Sequence, residues 1–171
     1  MDYPLTPEQV AIRDTFRRFC DEQVRPRAEA VDEAEVFPRE LFQKVGALGF
    51  FGMRYPEAEG GAGAGVIAAC LAVEELARGS MSLAAACTMQ SLMGTYFLCR
   101  FGDADVKERL FRPALAGEKV GTICMTEPNA GSDLSGVRTR AEPVADGYVL
   151  NGQKMWITSA PVADFFTVLA R

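Results

Sequence analysis

The spacing of apolar residues changes near Gly117, and this change restricts the chain to two unlike pieces. Before it, apolar residues recur at i, i+3 and i+4, the repeat of helices with one buried face. After it they alternate, or cluster between turn dipeptides, which is the grammar of strands. The reading is an N-terminal all-α domain over 1–117 followed by an antiparallel β domain over 118–171. A length of 171 residues leaves room for one compact domain or two small ones sharing a boundary.

The helices begin where residues offer caps. Thr6-Pro7-Glu8-Gln9 supplies an N-cap threonine, proline at the first helical position and a glutamine that closes a capping box. Ile12, Phe16 and Phe19 then share a face. A second helix opens near Pro38, carries Leu41, Val45 and Leu48, and stops at Gly49. Segments 66–77 and 83–101 are apolar on most sides, which predicts two central helices of a bundle, ended by Gly79 and Gly102. Asp103 caps a fifth helix through Val106, Leu110 and Leu115, bent or shortened by Pro113.

Strands are expected at 120–125, 137–144, 148–150, 153–158 and 165–170, with turns at Asp146-Gly147 and Asn151-Gly152. The last strand runs apolar into Arg171, leaving an edge of the kind that native sheets cover. The β domain is therefore expected to be incomplete in this chain and finished by further polypeptide or by a second chain.

Composition removes whole classes of function. Lys+Arg total 18 against 23 for Asp+Glu, a net charge of −5 that disfavours nucleic acid or an anionic membrane as main partner. The chain has no histidine, which excludes imidazole triads and H-E-x-x-H metal sites. Cys20, Cys70, Cys87, Cys99 and Cys124 are scattered without a C-x-x-C pair, predicting buried free thiols in a reducing compartment and no zinc site. Met1-Asp2-Tyr3-Pro4 lacks the basic and apolar regions of a signal peptide. The apolar run 83–99 is broken by polar residues and short for a bilayer. A cytoplasmic protein without a membrane span or metal is expected.

Three segments are candidates for chemistry. G-G-A-G-A-G at 60–65 follows no strand and misses the dinucleotide spacing, so it reads as a surface loop. The run from Cys124 to Asp133 leaves a strand and turns through Pro128, Asn129 and Gly131. Left-handed backbone at Asn129 and Gly131 would aim N–H groups at one point, with hydroxyls from Thr126 and Ser132. That suits a phosphate or a flavin carbonyl, and equally an ordinary polar turn bonded to itself. On a strand, Lys154, Trp156 and Thr158 share one face while Met155 and Ile157 share the other. An indole plane beside a hydroxyl suits a flat heterocycle, and equally suits core or interface packing.

Together, T-E-P-N-A-G-S-D at 126–133, V-R-T-R-A at 137–141 and N-G-Q-K-M-W-I-T at 151–158 resemble the signature regions of the acyl-CoA dehydrogenase family. L-T-P-E-Q at 5–9, Glu74-Glu75-Leu76-Ala77-Arg78 and Leu115-Ala116-Gly117-Glu118 extend the resemblance over nearly the whole chain. It implies an N-terminal helical domain, a middle β-barrel and a C-terminal four-helix bundle, the last absent from these residues. It further implies FAD held by Ile123, Met125, Thr126, Gly131, Ser132, Trp156, Ile157 and Thr158. Thr126 would donate to the polar edge of the isoalloxazine, and Thr158 would lie near N5. Ser132 would also touch the CoA portion of an acyl-CoA substrate, and 83–97 would form one wall of the acyl pocket. Gln90 receives no catalytic role.

The implied reaction is FAD-dependent α,β-dehydrogenation of an acyl-CoA to trans-2-enoyl-CoA, a step of fatty acid metabolism. A carboxylate takes the α-proton and the β-hydrogen leaves as hydride to the flavin. The electrons pass to an electron-transfer flavoprotein. The family's catalytic glutamate comes from the C-terminal bundle, so no catalytic residue is assigned within 1–171. Glu127 reads as part of a turn, and Glu74 and Glu75 as the hydrophilic face of a helix. The implied assembly is a homo-oligomer, usually a tetramer, or a pair with a second chain carrying the C-terminal domain. Two alternatives stand beside this. One is a non-catalytic or partner-completed subunit; the other is an acyl-CoA oxidase or flavin monooxygenase relative.

Overall fold

The computed structural model describes residues 4–171, so the first three residues of the signal-peptide reading lie outside the described ones. Helix α1, Pro7–Phe19, starts as its residues dictate. Thr6 Oγ1 accepts from Gln9 N–H at 3.2 Å while Gln9 Oε1 accepts from Thr6 N–H at 3.0 Å, which satisfies two donors that a helix start leaves free. Phe16 and Phe19 are buried and Ile12 packs beside them. Helix α3, Arg39–Ala47, buries Leu41 and Val45 and is followed by Gly49 at φ 80°, as a left-handed stop requires.

Between these lies a segment that sequence reasoning missed. A π-helical turn, Cys20–Val24, and a 3₁₀ turn, Arg25–Arg27, lead into helix α2, Ala28–Ala34. Arg25-Pro26-Arg27 looks like a break, but Pro26 opens a new turn, where its missing N–H costs nothing. Helix α2 buries no residue, so it shows no apolar stripe.

Helix α4, Gly65–Gly79, packs against α1 and against α5, Met81–Met89, which also meets α3. They are not buried all round, contrary to expectation. Val66, Ile67 and Met81 are exposed, and burial is confined to a face carrying Ala69, Ala72, Leu76, Leu83 and Cys87. The segment expected as one helix to Phe101 widens into a π-helical turn at Gln90–Gly94 before α6, Tyr96–Phe101. Asp103 Oδ1 accepts from Val106 N–H at 2.8 Å and caps α7, Ala104–Val106. A π-helical turn at Lys107–Phe111 then leads to α8, Arg112–Leu115, with Pro113 in its first turn.

The core is aromatic. Phe42 and Phe51 meet at a tilt of 36° with ring centroids 4.7 Å apart, Phe50 meets Phe51 edge-on at 5.6 Å, and Tyr55 meets Phe111 edge-on at 5.2 Å. Such pairs contribute about 0.5–1.5 kcal/mol each beyond their burial. Glu75, expected on a hydrophilic face, is instead buried at 2% exposure. Arg17 and Arg78 both bond its carboxylate, tying α1 to α4 and holding that carboxyl below the usual range, chiefly through Arg17. All five cysteines are free; Cys20, Cys87 and Cys124 are buried, whereas Cys70 is exposed, against the expectation that all are buried.

After Gly117 come four strands: β1, Gly121–Cys124; β2, Arg140–Val144; β3, Gly147–Asn151; and β4, Phe165–Val168. The β2–β3 hairpin is antiparallel as expected, but its two-residue turn is Ala145-Asp146, one position before the expected Asp146-Gly147, and Gly147 pairs with Val144 as the first residue of β3. The β1–β4 pair is parallel, with Gly121 opposite Phe165 and Cys124 opposite Val168. This corrects the wholly antiparallel reading: residues 125–164 are a connection long enough to bring the chain back in the same direction. The observed arrangement is a helical domain and a partial sheet domain. Among the described residues, no helix is long and apolar enough to cross a membrane.

Candidate functional site

Strand β1 is positioned from the helical domain by Gln90, which is 1% exposed on the π-helical turn. Its Nε2 donates to the carbonyls of Ala114 at 3.0 Å and Lys119 at 2.8 Å, and its Oε1 accepts from Gly121 N–H at 2.7 Å. One side chain thus satisfies three backbone groups at the α-to-β junction. The signal available in the sequence was an amide inside an apolar run, where a buried polar group needs partners. A second tie comes from Asp164, whose Oδ2 accepts from Val120 N–H at 2.7 Å.

Beyond β1 the two motif segments meet. Met155 N–H donates to the Thr126 carbonyl at 3.0 Å, and Thr122 Oγ1 donates to the Thr158 carbonyl at 2.7 Å. Lys154 Nζ reaches the Met125 carbonyl at 3.0 Å and Glu127 Oε1 at 2.8 Å. Glu127 is buried and also accepts from the N–H groups of Arg138 at 2.7 Å and Thr139 at 2.9 Å. Lys154 foremost, with those backbone donors, pulls its carboxyl down to about 2. Glu127 is therefore an ionised fastener joining 125–127, 138–139 and 154.

Two expectations about local shape are corrected. Residues 153–158 do not form a strand, because Trp156 and Ser159 take left-handed backbone at φ 59° and 64°. Lys154 and Trp156 consequently do not share a face: the lysine is drawn inward to Glu127, while the indole is 84% exposed. The turn at 127–130 closes by reciprocal bonds, Glu127 N–H to the Ala130 carbonyl at 2.8 Å and Ala130 N–H to the Glu127 carbonyl at 3.1 Å. Neither Asn129 nor Gly131 is left-handed, so this loop is not a nest of converging amides.

What remains open is a different donor set. The hydroxyls of Thr126, Ser132 and Thr158, and the N–H groups of Thr126, Trp156, Ile157 and Thr158, have no protein partner among the described residues. Gly131 and Ser132 are exposed, Met125, Thr126 and Ile157 are half-buried, and Ile123 is buried within β1. Thr126 and residues 156–158, brought together by the Met155–Thr126 and Thr122–Thr158 bonds, make a ledge of donors beside an exposed indole at the end of β1; among the described residues no hydrogen bond ties Gly131 or Ser132 to it. The strain of a left-handed tryptophan marks this ledge further, since such backbone persists where its surroundings enforce it.

Residues 6–118 match the sequence model described as the acyl-CoA dehydrogenase N-terminal domain, and residues 122–171 match that of the middle domain. The chain belongs to the acyl-CoA dehydrogenase family. It is 64% identical, over its whole length, to benzylmalonyl-CoA dehydrogenase of Aromatoleum aromaticum, covering 45% of that protein. Among solved structures it resembles butyryl-CoA dehydrogenase from Megasphaera elsdenii at TM-score 0.90 and 33% identity, covering 99% of this chain and 45% of the other. It also resembles glutaryl-CoA dehydrogenase from Mycobacterium smegmatis in complex with FADH2, at TM-score 0.92 and 33% identity, covering 98% and 43%. The chain thus spans about half the length of the family members it matches.

Proposed function

We propose that residues 1–117 and 118–171 form the helical domain and the start of a middle β-barrel of an FAD-dependent acyl-CoA dehydrogenase. Its reaction is α,β-dehydrogenation of an acyl-CoA thioester to the trans-2-enoyl-CoA, with an electron-transfer flavoprotein as electron acceptor. The observation that carries the reading is the ledge of unpartnered donors beside Trp156, pinned by the Lys154–Glu127 contact, in a chain of this family. Those donors fit FAD: a flat ring against the indole, with N–H and hydroxyl groups toward its carbonyl and nitrogen edge. When bound, FAD supplies the two-electron acceptor for the hydrogen leaving the substrate's β-carbon.

The chain's own residues bind, orient and exclude water. Thr126 and Thr158 would hydrogen-bond the ring edge, Trp156 and Ile157 would cover its plane, and Ser132 would meet the CoA portion of the substrate. Ala84, Ala85, Thr88, Met89 and Leu92 line an apolar cavity of about 410 Å³ that we read as one wall of the acyl pocket. Holding the α and β carbons against base and acceptor together is the entropic contribution of such a wall. We assign no base here. Glu127 and Glu75 are both committed to cationic partners, and the family resemblance implies that the carboxylate taking the α-proton comes from the C-terminal bundle. A homo-oligomer, or a second chain, completes the site.

The test is anaerobic addition of acyl-CoA to the full-length, flavin-loaded protein. Loss of the oxidised flavin's visible absorbance, with enoyl-CoA formed, is expected. An enzyme whose flavin no acyl-CoA bleaches overturns the reading, and rapid reoxidation by oxygen transfers it to the oxidase alternative.

A further inference from the structure

Two hydrogen bonds tie the ledge to β1, one at each end: Met155 N–H to the Thr126 carbonyl, and Thr122 Oγ1 to the Thr158 carbonyl at 2.7 Å. The second comes from a side chain, and Thr122 is 0% exposed. Its backbone lies opposite Phe166 in the parallel β1–β4 pair, so the strand is held without the hydroxyl. A threonine hydroxyl commonly bonds the backbone a few positions away. This one instead reaches across 36 positions, to a segment that is not a strand. That segment is bounded by left-handed Trp156 and Ser159, so its peptide planes are set by what surrounds them. The peptide joining Thr158 to Ser159 is planar and trans, so its C=O and N–H point in opposite directions. With the carbonyl drawn onto Thr122, the Ser159 N–H turns away from β1, and it has no protein partner among the described residues.

We infer that Thr122 is a positioning residue for the flavin: by holding the Thr158 carbonyl it aims the Ser159 N–H, and with it the Thr158 donors, at the ring's carbonyl and nitrogen edge. This rests on the FAD-dependent reading above. Thr122 is fully buried and acts only through that peptide. Donors fixed before the reaction stabilise the negative charge that the ring takes up on reduction, whereas donors free to turn must first be ordered. The Thr122 hydroxyl therefore raises the flavin's reduction potential from behind the site.

The experiment compares the full-length, flavin-loaded wild type with Thr122→Val and Thr122→Ser. Valine keeps the branched shape and removes the donor, while serine keeps the donor. Thr122→Val should shift the flavin's oxidised-to-reduced ratio about tenfold toward the oxidised form, a potential lower by ~30 mV for a two-electron couple. Its kcat should fall several-fold while KM for acyl-CoA stays within about twofold. Thr122→Ser should restore both potential and kcat. Should Thr122→Val fail to fold, Thr122→Cys decides the matter: its weak S–H donor should give a smaller shift in the same direction. A wild-type potential in the variant that lacks the hydroxyl, or a loss that Thr122→Ser does not restore, makes Thr122 a packing residue of β1 and leaves the dehydrogenase reading standing. If the wild type holds no flavin, or no acyl-CoA bleaches it, the dehydrogenase reading falls and takes this one with it.

Discussion

Lys154 places its Nζ 2.8 Å from Glu127 Oε1, so an ion pair with side chains only 12% and 4% exposed joins two segments separated by the β2–β3 hairpin. Lys154 Nζ also bonds the Met125 carbonyl, and Glu127 also takes two backbone N–H groups. Neither residue touches the ledge with its own charge. They fix its floor, and the chemistry proposed for Thr126 and Trp156 depends on that floor.

The first prediction concerns acid. The Glu127 carboxyl lies at about 2 in the folded chain against an ordinary 4.5. A depressed carboxyl contributes stability that is fully present above its unfolded value and is lost as pH falls through the folded one. Between pH 4.5 and 2 the wild type should therefore lose stability more steeply than Glu127→Gln, which has no proton to take up. The variant should be weaker at neutral pH, and the two should converge near pH 2. Urea midpoints measured across this range check it; parallel curves would remove Glu127 from its role as fastener.

Trp156 separates binding from folding. The indole is 84% exposed and its backbone is left-handed, a conformation asparagine tolerates better than tryptophan. Trp156→Asn should leave the stability of the flavin-free protein within about 1 kcal/mol. It should also lower flavin retention through gel filtration, because the plane that covers the ring is gone. An equal fall in flavin-free stability would make Trp156 a packing residue.

How far the sequence foretold all this depended on whether a signal was local. The α1 capping box, the Gly49 stop and the Asp103 cap depend on residues within a few positions and appear where expected, and the β2–β3 hairpin turn falls one residue before its expected place. Helix α2 went unseen because it buries nothing and so has no periodicity to read. The parallel β1–β4 pair, the buried Glu75 and the Gln90 clamp are contacts across long sequence separations, on which periodicity is silent. Trp156 failed for another reason: its left-handed backbone goes against local propensity and is held there by the fold. The two motif segments were legible by resemblance, whereas the Lys154–Glu127 fastener that unites them was not.

Gln90 carries the third prediction. Gln90→Leu keeps the apolar run but strips partners from the Ala114 and Lys119 carbonyls and from Gly121 N–H. Each buried group so abandoned costs about 1–3 kcal/mol, so a total near ~3 kcal/mol is expected after relaxation. Chemical denaturation gives the stability. Hydrogen exchange should show protection lost first at 120–124, where the clamp meets β1.

The last prediction tests whether the helical domain sets the position of the ledge. Gly94, on the π-helical turn, lies so close to β1 that a Cβ there would sit 2.5 Å from the Gly121 carbonyl oxygen and 3.4 Å from Gln90 Oε1. Backbone cannot yield as a flexible side chain would, so Gly94→Ala must push β1 away or distort the turn. Such overpacking costs about 1–3 kcal/mol. The displacement is transmitted along β1 to Thr126, so flavin retention should fall together with stability. Gly131→Ala provides the contrast, since nothing lies within 4 Å of a Cβ there and the backbone is not left-handed. That variant should stay within about 0.5 kcal/mol of wild type. If Gly94→Ala loses stability yet binds flavin as tightly as Gly131→Ala, β1 does not transmit the position of the helices to the site.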